Sequence, residues 1–192
     1  MFSASHIMKS IMPVMPVMLL LVPFVLSGCD GMTDDLYPSG SDKRPDVDTS
    51  IMGTQVGQQS PDFAMYDTLG NSRGLYAELD IPRDGVVLYF NMWCPICDSH
   101  ASHMRANVMP LFPNVSFFLV DYVSGSITVS RDAQLANGYG DIETLVDTDQ
   151  TVFNMYEASM GTTVVIGNDR VVRLSEDYKD GVKLTETLQA LP

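Results

Sequence analysis

Six residues, Gly85-Val86-Val87-Leu88-Tyr89-Phe90, run without a charge, and three residues further on the chain reads Cys94-Pro95-Ile96-Cys97. A dense apolar run of this length is what a central strand buried on both faces requires. Pro95 to about Met109 then reads as helix, stopped by Pro110 and Pro113. A buried strand feeding directly into a helix is the signature of an α/β layer architecture.

The remaining pattern agrees. Asp62 to Thr68 alternates loosely and meets a turn at Leu69-Gly70-Asn71. Val115 to Val123 reads as a second strong strand, and Asp132 to Asn137 and Thr151 to Ala158 as short helices. Thr162 to Ile166 and Arg170 to Leu174 read as a hairpin turning at Gly167-Asn168-Asp169. Val182, Leu184, Leu188 and Leu191 recur at near-helical spacing and mark a closing helix. The expected fold is α/β, a central mixed sheet flanked by helices. Apolar residues make up 45 % of the 192, enough for a real core. A net charge of -13 without a basic patch excludes nucleic acid as a partner and removes any charge attraction to anionic lipid.

The first 28 residues stand apart. Lys9 precedes an uncharged apolar stretch from Ile11 to Leu26, closed by the small residues Ser27 and Gly28. This is the layout of a secretory signal, and Pro13, Pro16 and Pro23 make it marginal as a spanning helix. Leu26-Ser27-Gly28-Cys29 resembles the lipobox of bacterial lipoproteins. The resemblance implies cleavage before Cys29, lipidation of Cys29 and lasting membrane attachment, each buried methylene adding roughly 0.8 kcal/mol. Asp30 is similar to a signal for retention in the inner membrane. Residues 30–54 are rich in Ser, Gly, Pro and Asp (Asp34, Asp35, Asp42, Asp46, Asp48) and show no apolar period. They read as a flexible acidic tether. The expected organisation is signal 1–28, tether 29–54 and one domain 55–192. The expected location is the bacterial cell envelope, lipid-anchored to a membrane and facing the periplasm or exterior.

The chemistry concentrates in the cysteine pair. A spacing of three puts Cys94 and Cys97 on one face of a first helical turn, within the Cα separation of about 4.4–6.8 Å that a disulfide needs. The helix start offers free N–H groups and a positive dipole end, which favour a thiolate. The thiolate is the attacking species in disulfide exchange. Pro95 sits where a helix tolerates proline. Cys94 is expected to be the nucleophile and Cys97 the resolving thiol, with Trp93 shielding the pair and shaping the contact surface.

Val56-Gly57-Gln58-Gln59-Ser60-Pro61-Asp62-Phe63, the strand with Trp93-Cys94-Pro95-Ile96-Cys97, and Thr162 to Ile166 with Arg170-Val171-Val172 resemble the thioredoxin-like redoxins of the bacterial envelope. The resemblance implies a thioredoxin fold and reduction or oxidation of protein disulfides outside the cytoplasm, in some members for cytochrome c maturation. It implies protein thiols and disulfides as substrates, and a membrane thiol carrier as electron donor. It implies no bound cofactor. Because Ile96 offers Cys94 neither charge nor hydrogen bond, a reductant's potential is expected, nearer about -270 mV than about -120 mV. Two departures stand out. The family's cis-proline before the late strand falls at Gly161, preceded by Met160, which leaves the substrate side of the site more open. The buried acid that many relatives carry near the motif is absent, and the position six before Cys94 is Leu88. Asp98, Asp121 or solvent remain as proton acceptors.

Two further readings are alternatives. Cys94, Cys97 and Met160 or His100 supply soft ligands for Cu(I), as in a copper-binding metallochaperone of thioredoxin fold. A peroxiredoxin-type antioxidant resembles the pattern less, since Val87 and Asn91 occupy the places of that family's Pro and Thr or Ser. His100 and His103 read as solvated helix residues, and Met104, Val108, Leu111 and Phe112 as core.

Overall fold

The structure, a computed structural model, describes residues 46–192. The signal, Cys29 and the tether up to residue 45 lie outside the described residues. The apolar run forms strand β3 (Gly85–Asn91), buried at every position. Strand β4 (Val115–Asp121) is equally buried and pairs with β3 in parallel, from Gly85↔Val115 to Asn91↔Asp121. On the other edge of β3 lies β6 (Thr162–Gly167), antiparallel, with Tyr89 opposite Thr163. With β1 (Ala64–Asp67), β2 (Ser72–Gly74), β5 (Thr144–Val146) and β7 (Val172–Asp177), these make a mixed seven-stranded sheet. Its order is β2-β1-β5-β4-β3-β6-β7. The helices are α1 (Leu75–Leu79), α2 (Pro95–His103), α3 (Ile127–Ala136), α4 (Thr151–Met155) and α5 (Val182–Gln189). The central mixed sheet with flanking helices is the architecture expected from the sequence.

Alternation along β3 divides the core in two, because successive strand residues point to opposite faces. Val86, Leu88 and Phe90 pack with Leu75, Leu79 and Val152 from α1 and α4. Val87 and Tyr89 pack with Ala101 and Met104 at and beyond α2, and with Leu184 and Leu188 of α5. The parity of the strand therefore decides which side chains can reach the cysteine-bearing helix.

Several details depart from expectation. The helical run after Cys94 reaches Leu111, but α2 proper ends at His103 and continues as a π turn (Met104–Val108) and a 3-10 turn (Met109–Leu111). Pro110 has no N–H with which to extend the α ladder. The changed winding rotates Leu111 outward, 62 % exposed, so it is not core. Phe112 is half-buried against the α2 side. Helix α3 starts at Ile127 rather than Asp132, because the Ser126 hydroxyl accepts from Val129 N at 3.3 Å. Strands β2 and β5 and helix α1 have only three to five residues, too few for a readable period. The chain pairs with the domain ahead of residue 55: Met52 bridges Gln59, and Gln58 Nε2 donates to the Asp48 carbonyl at 2.9 Å.

Candidate active site

Strand β3 ends at Asn91, whose Oδ1 accepts from Trp93 N at 3.0 Å. Trp93 has φ 58, the left-handed region that a bulky residue avoids. Its indole Nε1 donates to Asp121 Oδ2 at 2.7 Å and fixes the turn. Asp121 is the β4 partner of Asn91 in register, so the parallel pairing itself sets this brace. The other oxygen, Oδ1, accepts from Val123 N and Ser124 N, both at 3.0 Å. Burial works against the Asp121 charge, yet the hydrogen bonds from Ser124, Trp93 and Val123 hold its pKa below the ordinary carboxylate value.

The braced turn delivers Cys94 to the N-cap of α2, with Pro95 in the first turn. Cys94 Sγ accepts from Cys97 N at 3.1 Å. Partial burial opposes its ionisation, but the Cys97 thiol and the N–H groups of Cys97 and Ile96 outweigh that and lower its pKa. Cys97 is 1 % exposed, and burial, followed by its hydrogen bond to Cys94, raises its pKa. The two thiols are thus unequal. One is a partly accessible thiol whose ionisation the helix start favours, and the other a buried thiol whose ionisation burial opposes.

Met160 and Gly161 meet the pair from the loop before β6. The described residues contain no cis peptide bond. Gly161 has φ 88, which proline cannot adopt, and Gly161 N donates to Phe90 O at 2.9 Å, a bond proline could not make. Its carbonyl accepts from Tyr178 N at 2.8 Å. The place that the sequence leaves open is occupied by the Met160 side chain, and Cys94 Sγ donates to Met160 Sδ at 3.2 Å. Two sulfurs sharing one metal at bonds of about 2.3 Å in a tetrahedral shell would stand roughly 3.8 Å apart. The arrangement is a direct thiol–thioether contact. Among the described residues no group of three or more His, Cys, Asp or Glu side chains is placed to hold a metal ion.

The expected proton acceptors are otherwise engaged. Asp98 Oδ1 accepts from the Tyr139 hydroxyl at 2.6 Å, and both Asp121 oxygens serve the turn. His100 is not a solvated helix residue. It is half-buried, with Nδ1 3.0 Å from the Tyr89 hydroxyl and its ring 5.0 Å from that of Tyr178. The His103 ring is exposed, yet its Nδ1 lies 2.7 Å from the Tyr178 hydroxyl. Tyr89 and Tyr178 are not among the site residues that the sequence points to, and Asn91 is noted there only for the hydroxyl it lacks. The parity of β3 was the one available signal for Tyr89.

No protein-family model and no curated protein matches the chain. Solved structures do. Peroxidoxin BcpB from Mycobacterium tuberculosis is 25 % identical, with a TM-score of 0.59, over 72 % of this chain and 99 % of that one. A Chlorobium tepidum protein described as thiol:disulfide interchange protein DsbE is 17 % identical, with a TM-score of 0.61, over 72 % and 99 %. The thioredoxin domain of a Bacteroides vulgatus thiol-disulfide oxidoreductase is 15 % identical, with a TM-score of 0.56, over 70 % and 96 %. The fold of this chain is therefore thioredoxin-like, as the sequence resemblance implied. Its Cys-x-x-Cys lies where the central strand enters α2.

Proposed function

We propose that the protein is a thiol–disulfide oxidoreductase of the cell envelope, held to a membrane by lipid on Cys29 and reducing protein disulfides through Cys94 and Cys97. The observation that carries this reading is the inequality of the two thiols: Cys94 is partly exposed at the helix start, where its Sγ accepts from Cys97 N at 3.1 Å, and Cys97 is 1 % exposed. The Cys94 thiolate attacks a substrate disulfide, one substrate sulfur leaves as a thiol after taking a proton from solvent, and a mixed disulfide forms. Cys97 then attacks Cys94 Sγ, the second substrate thiol leaves, and the protein holds the disulfide. A membrane thiol carrier returns the two electrons. The anchor rests on Leu26-Ser27-Gly28-Cys29, and no helix of the described residues is long and apolar enough to cross a membrane.

Insulin reduction tests the reading: wild type precipitates the insulin B chain, and Cys94→Ser does not. Equal rates in both would sink it. Cys97→Ser is expected to trap substrate as a mixed disulfide, and Cys29→Ala to lose incorporation of labelled fatty acid. The likeness to a peroxidoxin motivates a second reading, peroxide reduction at the same thiolate. Peroxide consumption faster than insulin reduction would favour it.

A further inference from the structure

Disulfide exchange makes no use of the thiol–thioether contact. Met160 Sδ lies 3.2 Å from Cys94 Sγ. Both side chains are half-buried, so a small oxidant reaches the thioether and solvent reaches the thiol. Backbone holds the contact from both sides. Cys94 is the N-cap of α2, with its Sγ tied to Cys97 N at 3.1 Å. Met160 precedes Gly161, whose N–H donates to Phe90 O at 2.9 Å and whose carbonyl accepts from Tyr178 N at 2.8 Å. Oxidants convert a methionine thioether into a sulfoxide. The sulfoxide sulfur is electrophilic, and a nucleophile held about 3–3.5 Å away is at near-attack distance.

We propose that Met160 is an oxidant-accepting site whose sulfoxide is reduced within the same molecule by Cys94 and Cys97, an inference that rests on the roles these cysteines have in the oxidoreductase reading. A hydroperoxide transfers one oxygen atom to Sδ and leaves as water or an alcohol, oxidising the thioether by two electrons. The Cys94 thiolate then attacks the sulfoxide sulfur. A bond forms between Sγ and Sδ and the S–O bond breaks. The oxygen leaves as water with two protons, the two that Cys94 and Cys97 give up. Sδ is now a sulfonium joined to Cys94. Cys97 attacks Cys94 Sγ, the Sγ–Sδ bond breaks with its electron pair on Sδ, and the thioether is restored. In sum, one sulfoxide and two thiols become one thioether, one disulfide and one water. The second step is the one that resolves a mixed disulfide, with Met160 in the position of the departing substrate sulfur. The thiol donor that reopens the disulfide in exchange also completes this cycle.

Met52 supplies an internal control. It is 57 % exposed and bridges Gln59, which bridges Val171 beside the Gly167 end of β6. Gly167 pairs with Gly85, at the far end of β3 from Cys94. The full-length protein in its Cys94–Cys97 disulfide form, which shields the thiols, is treated with hydrogen peroxide. The peroxide is removed, the disulfide is opened by a brief phosphine pulse that is removed in turn, and the sulfoxide at each methionine is followed by peptide mass spectrometry. The Met160 sulfoxide is expected to disappear about tenfold or more faster than the Met52 sulfoxide, with one disulfide reforming for each sulfoxide lost. In Cys94→Ser it is expected to last as long as the Met52 sulfoxide. A Met160 sulfoxide that persists in the reduced wild type would overturn the proposal, as would equal loss in Cys94→Ser, or a Met160 that resists oxidation while Met52 is oxidised. Insulin reduction by the same samples keeps the two failures distinguishable. A persistent sulfoxide in a protein that still reduces insulin through Cys94 removes only the sulfoxide chemistry, whereas undiminished insulin reduction in Cys94→Ser sinks the oxidoreductase reading itself.

Discussion

The two faces of strand β3 carry different burdens. On one, Val86, Leu88 and Phe90 meet Leu75, Leu79 and Val152, an aliphatic and aromatic layer under α1 and α4. On the other, Val87 and Tyr89 meet α2, and a row of polar rings follows: Tyr89, His100, Tyr178 and His103, each in edge or tilted contact with the next. The first face holds the fold. The second also packs, but its hydroxyls and imidazoles are paired with one another at 2.7–3.0 Å. A strand buried on both sides can serve stability and chemistry at once, because neighbouring residues never share a face.

That contrast can be broken most severely at Leu88. Leu88→Ala is expected to cost about 2–5 kcal/mol in urea unfolding, yet leave insulin reduction per folded molecule near wild type. A loss of activity matching Cys94→Ser would mean the faces are not separable. Trp93→Phe removes the donor to the buried Asp121 carboxylate and is expected to cost about 1–3 kcal/mol. It should also slow the attack by Cys94, because the turn that presents the thiol loses its brace; an unchanged rate of insulin reduction per folded molecule would refute this. Gly161→Ala meets no clash, since the nearest atom to the added Cβ is at 3.6 Å, but φ 88 should cost roughly 1–2 kcal/mol. Gly161→Pro should cost more than Gly161→Ala, having lost the bond to Phe90 O as well; an equal or higher melting temperature for the proline variant would contradict this.

The smallest effect expected is electrostatic. The Asp121 pKa is lowered in the fold, so the folded state binds fewer protons than the unfolded chain in the window between the two values. Its contribution to stability is complete above the unfolded carboxylate pKa near 3.9 and is lost as pH falls through the folded value. Melting temperature should therefore drop on acidification more steeply in wild type than in Asp121→Asn, and parallel curves would refute it. Leu88 variants keep Asp121 and are expected to show the same acid dependence as wild type.

Much of the site was legible in the residues. Cys94, Pro95 and Cys97 fall where the strand–helix junction puts them, because a strongly apolar strand and a proline-started helix are both local signals. Gly161 was also legible as the place where a family proline is missing. What filled that place was not. The side chain of Met160 reaches Cys94 because β6 pairs antiparallel with β3 and carries its entry loop to the helix start. His100 was misread for a related reason. On helical spacing alone it could face solvent, and only packing of Tyr89 and Tyr178 against it buries the ring.

The sequence by itself determined the fold class, the central strand, the position of the cysteine pair and the difference in kind between Cys94 and Cys97. These depend on local periodicity and on the electrostatics of a helix start. Only the tertiary structure decided which groups surround the pair: the Trp93–Asp121 brace, the Met160 contact and the Tyr89–His100 hydrogen bond. Each joins residues from different elements, and strand register sets their distance. A one-residue slip of β3 would exchange Tyr89 for Leu88 and leave His100 without its hydroxyl partner.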